Sequence, residues 1–140
     1  MRPEGARLIG LMDWHNHPHA PATGTVLCAL ESIPEHGCKE LRYGNGDTSF
    51  SLILFRKGED VRAYVNCCPH FSVPLNARPN EFLLLPEDRI MCAWHCSVFR
   101  LTDGSCEAGP SEGLGLDAVP VSLIGQNIVM GRTLLGESLA

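Results

Sequence analysis

Cys67-Cys68-Pro69-His70 and Cys92-Ala93-Trp94-His95-Cys96 are the two stretches around which this 140-residue chain is organised. They hold two ligand pairs, Cys68-x-His70 and Cys92-x-x-His95, separated by residues 71–91. Two thiolates and two imidazoles suffice for one metal site. A zinc finger groups its ligands differently, cysteines as one pair and histidines as the other. Here each half carries one soft and one borderline ligand. If both cysteines bound one metal and both histidines another, the site would be a binuclear cluster with chemically unequal ends; a single structural zinc is the alternative.

The run from Cys92 to Pro110 also contains Trp94 before the second histidine, Phe99 four residues after it, the turn Asp103-Gly104-Ser105-Cys106, and Gly109-Pro110. This run resembles the second cluster loop of soluble Rieske ferredoxins, and Asn66-Cys67-Cys68-Pro69-His70 resembles the first. The similarity spans residues 25–131. It implies an all-β fold, a Rieske-like domain of stacked antiparallel sheets with the cluster-binding subdomain at hairpin tips, and one [2Fe-2S] cluster as cofactor. Cys68 and Cys92 would hold the inner iron as thiolates, with His70 and His95 on the outer iron as neutral imidazoles. Exchanging two anionic ligands for neutral ones favours reduction, and Rieske centres lie at roughly −150 to +300 mV, against about −400 mV for all-cysteine plant-type clusters.

The same resemblance assigns tuning roles. High-potential members place a serine two residues after the second histidine and a tyrosine two further on, both donating to cluster sulfurs. Ser97 keeps the first and Phe99 lacks the hydroxyl of the second, so a midpoint in the lower Rieske range, below roughly +100 mV, is expected. Trp94 is read as a loop-packing residue, and Pro110 as the start of a third loop that shields the cluster from water. High-potential proteins also carry a disulfide between the loops; Val73 and Trp94 stand at its positions, so that bridge cannot form here.

Length and composition agree with a small single domain. At 15.3 kDa the chain is enough for one modest core. A net charge of −5 argues against nucleic-acid or anionic-membrane partners, which demand a basic face. No apolar run approaches the roughly 20 residues needed to cross a bilayer. Leu8–Met12 is too short for a signal h-region, which points to the cytoplasm. Of seven cysteines, the cluster would claim two. In a reducing compartment the remainder default to free, mostly buried thiols. Cys67 and Cys96 adjoin ligands, and are read as two buried free cysteines in preference to a supporting thiol or a new inter-loop disulfide.

Residues 1–23 read as a poorly ordered or loosely packed tail, with Pro3, Pro18 and Pro21 and the alternating His15, His17 and His19. The domain itself is expected over residues 24–132, with 133–140 as a C-terminal tail. Short β-like runs begin at Thr25 and continue through residues 38–43, with Asn45-Gly46 as a tight-turn signal. Residues 50–56 and 61–66 predict a hairpin that delivers the chain into Cys68. Residues 81–85 and 89–92 predict a second that delivers Cys92, and residues 98–101 and 105–106 a third. Two further runs, 119–124 and 127–130, close the domain. No stretch sustains a helical period over three turns.

Phe71, Val73, Pro74 and Leu75 make the rim near His70 apolar, a feature that fits protein docking. The resulting expectation is a one-electron carrier between a flavoprotein reductase and a terminal oxygenase or oxidase, with no catalytic residues and no small-molecule substrate of its own. The alternatives are a Rieske subunit of an oxygenase or nitrite-reductase-like complex, and a redox- or iron-sensing protein.

Overall fold

The computed structural model describes residues 17–44, 49–69, 73–94, 96–109 and 113–131. Its eleven strands form three antiparallel sheets. The middle sheet takes β2 (Cys38–Tyr43), β3 (Phe50–Lys57), β4 (Asp60–Val65) and β9 (Ala118–Val119) in that order. One outer sheet runs β1 (Val26–Ala29), β11 (Asn127–Met130), β10 (Val121–Ile124). The other runs β5 (Leu83–Leu85), β6 (Arg89–Met91), β7 (Val98–Arg100), β8 (Cys106–Ala108). A single 3-10 turn, Leu30–Ser32, is the one helical element among the described residues.

Strand β3 sets this arrangement. Successive side chains of a strand point to opposite faces, and its run Leu52-Ile53-Leu54-Phe55 is buried throughout. Leu52 and Leu54 pack into one core with Ala63, Val65, Ile128 and Met130. Ile53 and Phe55 pack into the other with Tyr64, Leu75, Ile90, Phe99 and Leu101. The middle sheet is therefore a wall between two cores, and a continuous apolar run is what a strand buried on both faces requires.

The β5–β8 sheet is an insertion between β4 and β9. The chain enters it after Val65 and returns at Asp117, and the Val65 N–H donates to the Asp117 carbonyl at 2.9 Å. Tyr64 ties the insertion to the wall: its hydroxyl donates to the Leu101 carbonyl at 2.7 Å. Gly104 sits against the Tyr64 ring with φ +82, and a β-carbon there would come within 2.8 Å of a ring carbon.

The hairpins expected at 50–66, 81–92 and 98–106 are present, with β8 extending to Ala108. Asn45-Gly46 lies outside the described residues. The run expected as one strand over 119–124 is two. Pro120 has no N–H for a ladder, and the chain crosses there from the middle sheet, where Val119 pairs with Ala63, to the outer sheet, where Val121 pairs with Met130. Of the expected N-terminal tail, residues 1–16 lie outside the described set, and His17 and Ala20 of the remainder touch the domain. The His17 ring lies 5.1 Å from that of Phe50, Ala20 packs on the second core, and the following Gly24 N–H donates to the Met130 carbonyl. The C-terminal tail, 133–140, is outside the described residues.

Candidate metal centre

Cys68 lies three residues beyond the end of β4 and Cys92 follows β6 directly, so two hairpins deliver the two thiols. Both cysteines are at 0% exposure, and both belong to the core cluster shared with Leu75, Ile90 and Phe99. The loops that follow them close alike. The Cys68 N–H donates to the Val73 carbonyl at 2.7 Å, and the Cys92 N–H to the Ser97 carbonyl at 2.8 Å. Each bond spans five residues and encloses one of the expected histidines. His70 and His95 themselves lie outside the described residues, as do Phe71 and Pro110.

Two bonds hold the loops to one another. The Ala93 N–H donates to the Leu75 carbonyl at 2.8 Å. The Trp94 indole N–H donates to the Pro74 carbonyl at 2.8 Å, while the residue remains 57% exposed. A third segment closes on the second loop through Gly109. Its φ is +100, and an added β-carbon would lie 2.7 Å from the Ser97 α-carbon. Only glycine permits that approach. Ser97 beneath it is fully buried, and Phe99 packs in the core beside Ile90, its cross-strand neighbour.

Leu75 departs from its expected place on the docking rim. It is 1% exposed and belongs to the core with Cys68 and Cys92. Its N–H and carbonyl are both engaged in loop closure, which turns the side chain inward. Val73 is half-buried against the same core, and Pro74 is exposed. Cys67 and Cys96 are free thiols in different settings. Cys67 packs on the second core, and burial, with Cys68 and Asp117 adding, pushes its thiol up to about 12. Cys96, expected to be buried, is exposed; it sits in the left-handed region at φ +65.

A polar network that joins β2 to the residues flanking the first loop left little signal in the sequence. The Glu40 side chain on β2 is 4% exposed. Its Oε2 accepts from Arg42 at 2.8 Å, Ser51 at 2.8 Å and Asn66 at 3.4 Å, and its Oε1 from the Asn76 side chain at 2.9 Å and the Asn80 N–H at 2.8 Å. Asn66 also donates to Asn76 at 2.8 Å and accepts the Leu75 N–H at 2.9 Å. Burial pushes the Glu40 carboxyl up, but the donors outweigh it and hold it at about 2. The one available cue was that Asn66 precedes the Cys67-Cys68 motif.

Buried thiols are soft donors shielded from water, and Gly109 brings a third segment against the backbone of the second loop at Ser97; this donor set fits an iron–sulfur cluster. The chain belongs to the Rieske [2Fe-2S] domain family, whose family model matches residues 24–133. Among solved structures it is similar to the ferredoxin of carbazole 1,9a-dioxygenase from Nocardioides aromaticivorans IC177, at 21% identity and a TM-score of 0.63, over 80% of this chain and 100% of that one. It is also similar to the Sphingomonas yanoikuyae B1 ferredoxin, at 16% identity and a TM-score of 0.57, over 79% and 99%. The terminal oxygenase of carbazole 1,9a-dioxygenase from N. aromaticivorans IC177 matches at 19% identity and a TM-score of 0.65, over 87% of this chain and 35% of that one. No curated protein matches in sequence. These likenesses are of fold.

Proposed function

We propose that this chain is a one-electron carrier in which Cys68, His70, Cys92 and His95 hold a single [2Fe-2S] cluster. The observation that carries the reading is the pair of matched loops, each closed by its cysteine N–H onto the carbonyl five residues later, with both thiols buried in one core. A bound cluster supplies one reversible electron. The residues of the chain do the rest. Phe99, Ile90 and Leu75 exclude water on the inner side, and the loop-to-loop bonds fix the spacing of the two halves, so little has to move between oxidation states.

The outer side is where a partner would dock. Residues 67–77 and 92–99 contain no Asp, Glu, Lys or Arg, and Trp94 and Pro74 are exposed there. With Val73 and Phe71 they form the docking rim in this reading, for a flavoprotein reductase on one step and a terminal oxygenase or oxidase on the other. Solved complexes of oxygenase and ferredoxin in carbazole 1,9a-dioxygenase support that pairing. No helix among the described residues is long and apolar enough to cross a membrane, and a cytoplasmic location suits the free thiols of Cys67 and Cys96.

Purified under anaerobic conditions, the chain should contain two irons and two sulfides, and give the low average g-value of a histidine-ligated reduced cluster. One zinc and no colour would refute the reading. His95→Cys should keep a cluster and lower its potential; an unchanged potential would remove His95 from the ligand set. The fold likeness to a terminal oxygenase favours a second reading, a Rieske subunit held permanently in an oxygenase complex. Reduction of the isolated chain followed by diffusive, concentration-dependent electron delivery separates the carrier from the subunit.

A further inference from the structure

A buried carboxylate remote in sequence from both loops needs a reason. Glu40 collects five donors, three of them from residues 66–80, the segment that contains the first loop. Asn80 completes a reciprocal pair, its side chain accepting the Glu40 N–H at 2.8 Å. Asn76 reaches on to the Arg78 carbonyl at 2.8 Å. Through Asn66 the network meets the Leu75 N–H, and the Leu75 carbonyl in turn accepts the Ala93 N–H. One unbroken path of hydrogen bonds thus runs from β2, through the loop after Cys68, to the residue after Cys92.

Only a carboxylate satisfies all five donors. An ionised carboxylate is acceptor-only at both oxygens, whereas an amide would turn an NH2 group toward either Asn76 and Asn80 or Arg42 and Ser51. The two ends of the segment are pinned to the same side chain, Asn66 at the start and Asn80 at the finish. The middle sheet therefore anchors the described residues on both sides of the loop.

We propose that Glu40 is a positioning residue for the metal centre: its carboxylate fixes Asn66 and residues 75–80, on either side of the first loop, to the middle sheet and, through Leu75, sets the approach of the two loops. It governs how tightly the cluster is held more than how stable the domain is. This rests on the ligand assignment above for its cluster arm, and on the hydrogen-bond path alone for its loop arm.

The test compares Glu40→Gln and Glu40→Ala with Ile128→Val, a substitution in the other core. Two readouts are used: bleaching of the cluster absorbance by a chelator in the holoprotein, and hydrogen exchange of the Leu75, Ala93 and Ile53 amides. Expected is cluster loss accelerated about tenfold or more in Glu40→Gln, with the Leu75 and Ala93 amides losing protection by about tenfold while Ile53 changes by less than about twofold. Ile128→Val should leave cluster loss within about twofold of the parent at a comparable loss of thermal stability. Bleaching that merely follows melting temperature across all three variants would overturn the proposal, as would unchanged Leu75 and Ala93 protection. Should Glu40→Ala fail to fold, Glu40→Gln, nearly isosteric, carries both readouts. If the parent chain takes up no cluster, the proposed function fails while amide exchange still decides whether Glu40 positions the loop.

Discussion

The Trp94 indole N–H reaches from the second loop to the Pro74 carbonyl of the first, 2.8 Å away, with most of the ring open to solvent. The bond holds a large aromatic surface still beside the metal centre. An immobilised, exposed aromatic loses little entropy when a partner covers it, and such residues dominate binding energy at interfaces. Trp94→Phe should keep the cluster spectrum and cost about 1 kcal/mol or less in stability, since the bond is solvent-accessible. Trp94→Ala should also keep the spectrum, but slow electron delivery to the partner by about tenfold through weaker association. Stopped-flow reoxidation at varied partner concentration measures this; an unchanged second-order rate would place docking elsewhere.

Residues 67–77 and 92–99 carry no Asp, Glu, Lys or Arg, so association through these loops should not rely on steering. Between about 50 and 500 mM salt the bimolecular rate should change by less than about threefold, whereas steered pairs fall steeply over such a range. A steep decline with ionic strength would mean that acidic residues away from the loops guide the partner.

Glu40 gives stability a definite pH dependence. Its folded-state pKa of about 2 lies below the ordinary 4.5. A depressed carboxyl stabilises the fold while ionised, fully above the ordinary value, and the contribution is lost as pH falls from there through about 2. Urea melts of the parent between pH 6 and pH 2 should show this acid loss, and Glu40→Gln should flatten the curve below about pH 4.5. Parallel curves for the two proteins would contradict the assignment.

Two backbone positions beside the centre should respond in opposite directions. Gly109→Ala forces a side chain into φ +100 and against the Ser97 backbone; a loss of at least about 2 kcal/mol is expected, with faster cluster release. Cys96→Gly relieves a left-handed non-glycine residue at φ +65 and should be neutral or stabilising by up to about 1 kcal/mol. Thermal melts of both variants check the pair, and destabilisation by Cys96→Gly would show that its thiol contributes packing.

The sequence singled out Cys68 and Cys92 by residue type and spacing, and the structure buries both in one core; the hairpins before them were legible because turn residues punctuate period-two runs. It did not disclose which way Leu75 faces. An apolar residue in a loop of special backbone reads equally as rim or core, and the outcome was decided by where its N–H and carbonyl were needed. Residues 50–56 read as a hairpin strand, but not as one whose Leu52-Ile53-Leu54-Phe55 divides two cores, since periodicity cannot name the partner of each face. Glu40 was the least visible. In an alternating strand a glutamate reads as solvent-facing, and the asparagines that enclose it lie far along the chain. Pro120 was visible as a residue, but that it transfers the chain from one sheet to another follows only from which strands lie beside it.

The junction at Val65 and Asp117 gives the molecule the layout of an exchangeable cassette. Entry and exit are latched side by side, so a different set of loops with the same footprint could be grafted between β4 and β9 without rerouting the base. Deleting the cassette is another matter, because Ile53, Phe55 and Tyr64 on the wall would lose their cover. An engineer could replace the half that bears the two loops, but the base would need a new apolar lining before it could stand without one.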